Sequence, residues 1–173
     1  MASVVKNEPV LKLNFLSHGT IECLDIEATR AFYEQFLGFE IVRTGKISMT
    51  CRLNSATVFV CIEVPKKGPM PLMNHIGLDV ATAEEVDRAY AIVSAQAEAW
   101  GVKKVTRPVD QHGTRSFYLL DLDENWWEIL ANPAGGYTWQ FERGGDFKYT
   151  DLKAEDNPNG FVGKGSKVPT KLE

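Results

Sequence analysis

The sequence is short of the features that mark several classes of protein. Its 173 residues contain three cysteines, an odd and small number that argues against a disulfide-rich secreted scaffold and indicates free thiols. Lysine and arginine number 19 against 23 aspartates and glutamates, so no basic excess is available for nucleic acid. No apolar run approaches the roughly 20 residues of a membrane span, and the N-terminal residues lack a secretory signal. We therefore expect a cytoplasmic protein with no nucleic-acid or membrane partner.

The sequence does contain an internal repeat. Its composition, 44% apolar and 24% charged, is that of an ordinary globular protein, and its length suits one domain or two small modules that share a core. Alternating apolar patterns, helical stripes and turn residues predict the order β-α-β-β-β twice. The two halves begin alike, because residues 18–22 (HGTIE) match residues 75–79 (HIGLD) 57 positions later.

The repeat divides the chain into five parts and predicts an α+β fold. We expect an N-terminal arm over 1–12, a first βαβββ module over 13–65 and a linker over 66–72. A second βαβββ module follows over 73–133, and a C-terminal extension over 134–173. The extension is rich in glycine, proline and charge, but its aromatic residues indicate that its first part packs on the body or on a partner subunit.

Histidine is scarce, with three residues, and two of them begin the repeated strands. Because side chains alternate along a strand, His18 shares a face with Glu22, and His75 shares the equivalent face with Asp79. The opposite faces of both strands are apolar and should pack beneath the helices. Two equivalent polar faces suggest that the modules enclose a cavity.

Glu128, on the last strand of the second module, completes a metal-binding hypothesis. It shares a strand face with Trp126 in the segment NWWEILANP. If the two modules pair, His18, His75 and Glu128 could converge in the cavity. Two imidazoles and one carboxylate form a facial triad that suits Fe(II), with Mn(II), Ni(II) or Zn(II) as other candidates. The open coordination positions would admit substrate and either O₂ or water.

Three segments carry a family resemblance: SHGTIECLDIEATRAFYEQFLGFEIV, NHIGLDVATAEEVDRAY and SFYLLDLDENWWEIL. They resemble the vicinal oxygen chelate superfamily, which includes glyoxalases, bleomycin-resistance proteins and extradiol dioxygenases. The resemblance implies that the paired βαβββ modules form an open, barrel-like mixed sheet around a metal site. It also implies that His18, His75 and Glu128 stand at the ligand positions of the family.

The resemblance suggests two catalytic residues and a reaction. Extradiol enzymes have a tyrosine at the spacing of Tyr118 from the carboxylate ligand, and an acid/base histidine in the region of His112. The first hypothesis is therefore a non-haem Fe(II) dioxygenase that cleaves a catechol-like ring with O₂. His112 would move a proton and Tyr118 would hydrogen-bond a substrate oxygen. Trp126, Glu22 and Asp79 are candidate residues of the substrate pocket.

The number of ligands bears on the reaction. Many glyoxalase-like isomerases have a fourth ligand on the last strand of the first module, where alignment of Pro65 with Pro133 places Val60. Glu63 lies nearby, but on the wrong face unless a bulge shifts it. Three ligands resemble extradiol dioxygenases and fosfomycin-type thiol transferases more than glyoxalase I. Most extradiol enzymes, however, have four modules and a further histidine that residues 56–74 lack.

Two other functions stay open. A glyoxalase-type isomerase, epimerase or lyase would act through a metal-bound enediolate, with Glu63 or Glu22 to move the proton. A fosfomycin-type thiol transferase would use three ligands but would leave the C-terminal extension unexplained. The dimers common in this superfamily, together with the aromatic extension, favour a homodimer that acts on a small aromatic substrate.

Overall fold

The chain folds into two sheets, each built from one βαβββ unit. The computed structural model describes residues 10–11, 13–53, 57–111, 114–133, 136–138 and 141. The first unit comprises β1 (His18–Cys23), α1 (Ile26–Ala31), β2 (Glu40–Arg43), β3 (Ser48–Arg52) and β4 (Val58–Glu63). The second comprises β5 (Ile76–Asp79), α2 (Ala83–Gln96), β6 (Lys104–Val105), β7 (Val109–Gln111), β8 (Thr114–Leu120) and β9 (Trp126–Ala131).

The two sheets have the same topology. Their strand orders are β1-β4-β3-β2 and β5-β9-β8-β6, and β7 pairs with β8 as an additional strand. In each sheet the first and last strands of the unit pair in parallel, and the pairs between the remaining strands are antiparallel. The predicted α+β fold with paired βαβββ modules is confirmed. The described strands form two separate mixed sheets and no closed barrel.

The first helix begins and ends at the residues that the sequence predicts. The Asp25 carboxylate accepts hydrogen bonds from the backbone N–H groups of Glu27 and Ala28, at 3.0 and 3.1 Å. The helix continues as a π-helical turn over Phe32–Phe36 and stops at Gly38, whose φ of +80° is costly for residues with a Cβ.

The second helix has the predicted capping box. The Thr82 hydroxyl accepts from the backbone N–H of Glu85 at 3.2 Å, and the Glu85 carboxylate accepts from the N–H of Ala81 at 2.8 Å. The helix ends at Gln96, earlier than the sequence pattern suggests. A turn leads from there to Gly101, which has a φ of +70°.

Two strand boundaries differ from the sequence prediction. The first strand, expected from Leu13, begins at His18, and residues 13–17 are extended and exposed. The segment VKKVTRPV, expected as one strand, is divided between β6 and β7. Pro108 lies at the break, and its missing N–H prevents a continuous ladder of hydrogen bonds.

A single apolar core joins the two modules. Ile21 and Cys23 of β1 point into it, as the alternation predicts, and all three cysteines are buried free thiols. Trp127 of β9 is fully buried, and its ring centroid lies 5.3 Å from that of Tyr33 and 5.5 Å from that of Phe59. Trp127 is therefore a packing residue of the core. Because side chains alternate along strands, the polar face of each sheet is the one turned away from this core.

A buried polar turn between β8 and β9 fastens the second module to the first. The Asp121 carboxylate accepts from the Tyr33 hydroxyl at 3.1 Å and from the Trp127 indole at 2.9 Å. The Asp123 carboxylate accepts from the backbone N–H of Leu24 at 2.8 Å and from the Thr29 hydroxyl at 2.6 Å. Burial raises the pKa of Asp121, and the surrounding donors oppose that rise. These bonds satisfy buried polar groups of both modules.

In the part of the chain that the structure describes, no helix has the length and hydrophobicity needed to cross a membrane.

Replacing Asp123 with alanine should destabilise the protein strongly. The change leaves the Leu24 N–H without its acceptor and the Thr29 hydroxyl with only the Asp25 carbonyl, and we expect a loss of about 2 kcal/mol in the free energy of unfolding. Urea denaturation of the purified chain measures this loss. The matched control is Asp87→Ala, because Asp87 forms an exposed ion pair with Arg115 and should change stability by about 0.5 kcal/mol or less. Equal effects of the two substitutions would contradict the role assigned to the turn.

Candidate metal centre

His75 and Glu128 form a close pair on the polar face of the second sheet. Glu128 stands opposite Gly77 in the parallel pairing of β5 and β9, and His75 immediately precedes β5. The Nε2 atom of His75 lies 3.3 Å from Oε2 of Glu128. The carboxylate is buried and the imidazole is partly exposed, so the pair is open to solvent from the histidine side.

The contact of the other imidazole nitrogen, Nδ1, shows which ring nitrogen of His75 bears the proton. Nδ1 of His75 is 2.7 Å from the carbonyl oxygen of Leu72. Because a carbonyl only accepts, Nδ1 bears the proton, and Nε2 of a neutral imidazole then presents a lone pair to the carboxylate. Two acceptors that face each other at 3.3 Å need a cation between them, either a proton or a metal ion. Histidine ligands of metals commonly have this Nδ1–H bond to a carbonyl, so the pair fits two ligands of a divalent ion.

Hydroxyl groups support the carboxylate from β8. Tyr118 stands opposite Glu128 in the antiparallel pairing. Burial alone would raise the pKa of Glu128, but the polar groups of His75, Ser116 and Tyr118 beside it hold that pKa below its usual value. The hydrogen bond to Glu128 raises the pKa of His75. The carboxylate therefore stays ionised at neutral pH.

Tyr118 also contacts the histidine directly. Its ring centroid lies 5.0 Å from that of His75 in an edge-on arrangement. Burial and the neighbouring charge of Glu128 raise the pKa of its phenol, which therefore stays protonated and donates hydrogen bonds at neutral pH. Sequence spacing thus identified a residue that touches both members of the pair.

Sequence reasoning missed Gln111. Its side-chain amide donates to the Tyr118 hydroxyl at 2.8 Å and to the Ser116 hydroxyl at 3.1 Å. Gln111 ends β7, a strand that the sequence pattern did not separate from its neighbour, so nothing in the pattern indicated where its side chain would lie.

His18 does not join this pair within the chain. It is exposed at the start of β1, on the first sheet, and its Nδ1 lies 2.8 Å from the Ser17 hydroxyl oxygen. Among the described residues, no three histidine, cysteine, aspartate or glutamate side chains are grouped closely enough to hold a metal ion. Ile21 and Cys23 of β1 and Trp127 of β9 belong to the shared core, so His18 and Glu128 both stand on strand faces turned away from it.

The remaining candidates differ in their surroundings. Trp126 is buried on the same strand face as Glu128. The Asp79 carboxylate accepts from the backbone N–H of Asn132 at 3.0 Å, at the edge of the sheet. Glu22 is exposed. His112 lies outside the described residues, as does most of the expected 134–173 extension.

One described residue of the extension reaches the site. Tyr137 lies close enough to Thr114, Glu128 and Asp79 for them to affect its pKa. Burial, together with the charges of Glu128 and Asp79, raises the pKa of its phenol. The aromatic content of the extension was the only sequence signal for this contact, and it did not identify the residue.

The strand registers show which residue occupies the position where a fourth ligand would stand. Thr20 stands opposite Val60 in the first module, as Gly77 stands opposite Glu128 in the second, so Val60 occupies the place equivalent to Glu128. The Glu63 carboxylate accepts from the backbone N–H of Ile26 at 2.9 Å, at the start of α1. Glu63 is therefore occupied in holding the first helix.

The fold agrees with the comparisons to known proteins. Residues 16–129 match the family model of the Glyoxalase/Bleomycin resistance protein/Dioxygenase superfamily, so the chain belongs to this superfamily. The predicted resemblance is confirmed. Proteins of the superfamily bind divalent metals and commonly act as dimers on small molecules.

Solved structures with the same fold include the fosfomycin resistance protein FosX of Listeria monocytogenes. It is 25% identical with a TM-score of 0.57, and the alignment covers 76% of this chain and 99% of FosX. A second structure of FosX is a complex with Mn(II) and a sulfate ion. A possible glyoxalase from Bacillus cereus is 21% identical with a TM-score of 0.56, over 68% of this chain and 98% of that protein. No curated protein matches the sequence.

The pairing with Glu128 should be visible in the titration of His75. In metal-free protein, Glu128→Gln removes the charged acceptor that raises the pKa of His75, so this pKa should fall. The cationic form of His75 would then be lost at a lower pH than in the wild type. NMR titration of the imidazole resonances measures the shift. Glu40→Gln, at an exposed ion pair with Arg52, should leave the His75 titration unchanged, and an unchanged titration in Glu128→Gln would contradict the pairing.

Proposed function

We propose that the chain is a divalent-metal-dependent enzyme of the extradiol dioxygenase type, with Fe(II) as the preferred metal. The observation that supports it most is the distance of 3.3 Å between Nε2 of His75 and Oε2 of Glu128. The Nδ1–H group of His75 donates to the Leu72 carbonyl, so Nε2 is available to bind a metal. His75 and Glu128 would be two ligands of the metal, and His18 the third. This donor set leaves positions for substrate and O₂.

A catechol-like substrate would chelate the bound metal through its two oxygens, and the metal would activate O₂. Tyr118 holds the Glu128 carboxylate and is the candidate to hydrogen-bond a substrate oxygen. Trp126 lines the same face and would exclude water from an aromatic ring. His112 is the proposed acid/base that moves protons between substrate and products.

The lack of a fourth ligand at the position equivalent to Glu128 favours this reaction class over a glyoxalase-type isomerase. Val60, at the position equivalent to Glu128, cannot bind a metal. Glu63, the nearby acid, accepts from the backbone N–H of Ile26 at the start of α1. It is therefore not free to move a proton in an enediolate mechanism.

The charges on the two polar faces bear on the substrate. Among the described strand residues on these faces, the strand registers indicate one arginine and one lysine. Arg52 is ion-paired with Glu40 at 2.7 Å, and Lys104 lies on the short edge strand β6. A doubly charged anion such as a phosphonate would therefore lack a strong counter-charge near the pair, which favours an uncharged chelating substrate over fosfomycin.

A second copy of the chain is the proposed source of the third ligand. His18 and Glu128 stand on strand faces turned away from the shared core, and among the described residues no third ligand lies beside the His75–Glu128 pair within the chain. β1 and β5 are edge strands whose polar sides are exposed, and each could face the other module of a second copy. A homodimer of this kind would contain two equivalent sites, each with His18 from one subunit and the His75–Glu128 pair from the other.

Metal loading and oxygen consumption test the reaction. Protein purified anaerobically and reconstituted with Fe(II) should consume O₂ with a catechol and form a yellow ring-fission product. His18→Ala, His75→Ala and Glu128→Ala should each lose most of the bound iron and at least about 100-fold in activity, because each removes one ligand. Full activity of metal-free protein would rule out the proposal.

Alternative outcomes identify the competing reactions. Turnover with Ni(II) or Mn(II) and no oxygen demand would indicate an isomerase, and turnover of fosfomycin with a thiol would indicate a transferase. Glu34→Ala is a suitable control, since its carboxylate pairs with Arg30 on the helix of the first module and it should retain iron and activity.

Subunit complementation tests the shared site. His18→Ala and His75→Ala chains, co-expressed with different affinity tags, should form a heterodimer with one intact and one doubly defective site. We expect about half of the wild-type iron content and activity, because one of two symmetry-related sites survives. If each chain built its own site, the heterodimer would be as inactive as either parent. A monomer by light scattering would also rule out sharing.

A further inference from the structure

We infer that Gln111 is a positioning residue of the metal centre, which sets the direction of the hydrogen bonds that reach Glu128. This inference rests on the proposed metal site. Gln111 lies behind the hydroxyls that contact Glu128, at the end of β7, where it stands opposite Thr114 of β8. Gln111 acts on the Glu128 carboxylate through the hydroxyls of Tyr118 and Ser116.

The chemistry of the amide gives the hydrogen bonds a direction. The Nε2 atom of Gln111 only donates, and it lies 2.8 Å from the Tyr118 hydroxyl and 3.1 Å from the Ser116 hydroxyl. Both hydroxyls must therefore accept from Gln111. Each hydroxyl has a single proton, and the carboxylate opposite Tyr118 in the pairing of β8 with β9 is Glu128. Because both hydroxyls accept from Gln111, their own O–H groups are free to point toward Glu128.

The burial of the hydroxyls makes this direction matter. Ser116 is fully buried and Tyr118 is half-buried, so neither hydroxyl exchanges partners freely with water. When the hydroxyls of Tyr118 and Ser116 both point toward Glu128, the carboxylate is held in one orientation. Its Oε2 then faces Nε2 of His75. Without the amide, the hydroxyls can rotate, and the carboxylate loses two oriented donors. Partners of this kind typically change metal affinity about 10- to 100-fold.

Mn(II) binding to the full chain, measured by titration calorimetry, tests the inference. Gln111→Met keeps the length of the side chain but removes the donor, and should weaken Mn(II) binding about tenfold. The free energy of unfolding of the metal-free protein is measured in parallel. Gln96→Met is the matched control, because Gln96 also bonds an aromatic side chain, Trp100, but does so on α2. The control should bind Mn(II) as the wild type does.

A double-mutant cycle with Tyr118→Phe separates positioning from general structural damage. If Gln111 acts through the tyrosine hydroxyl, Gln111→Met should weaken Mn(II) binding much less in a Tyr118→Phe background than in the wild type. Independent, additive effects would overturn the inference, as would Mn(II) binding by Gln111→Met within about twofold of wild type. A loss of binding that merely follows a loss of folding stability would also overturn it.

The same experiment distinguishes failure of the proposed metal site from failure of the role proposed for Gln111. Wild-type protein that binds neither Mn(II) nor Fe(II) would overturn the metal site and, with it, the role of Gln111. Wild-type protein that binds Mn(II) while Gln111→Met binds it equally well would overturn only the role of Gln111.

Discussion

The relative placement of the two modules depends on the hydrogen bonds of one buried turn. Asp121 and Asp123, in the second module, accept from Tyr33 and Thr29 in the first. A buried carboxylate is costly unless several donors satisfy it, so these bonds define one arrangement of the modules and penalise others. Trp127, two residues beyond the turn, then packs into the core that both sheets share.

That arrangement determines where chemistry can occur. Because strand side chains alternate, β9 sends Trp127 into the shared core and Glu128 to the opposite face. Trp127, which packs between the modules, and Glu128, the proposed ligand, are therefore neighbours on one strand that point to opposite faces of the sheet. The same constraint carries His18 away from Glu128 within a chain, which is the physical basis for proposing a site between two subunits.

Local features were largely predictable. The caps at Asp25 and Thr82, the glycine at position 38, and the alternation of β1 each depend on residues within a few positions of one another. The equivalence of Val60 and Glu128 also followed from the sequence repeat and is matched by the strand registers. Gln111 was not predictable, because its role arises only after a short strand pairs with β8 and brings an amide to two hydroxyls.

The sequence by itself determined the repeat, the faces of its strands, and the residue types offered for a metal: two histidines and one glutamate at equivalent or expected positions. Tertiary structure decided which of them meet. His75 and Glu128 come together because adjacent parallel strands hold them in register. His18 is kept apart because burying the apolar faces of both sheets in one core turns their polar faces outward, and this choice depends on contacts between residues about 90 to 100 positions apart.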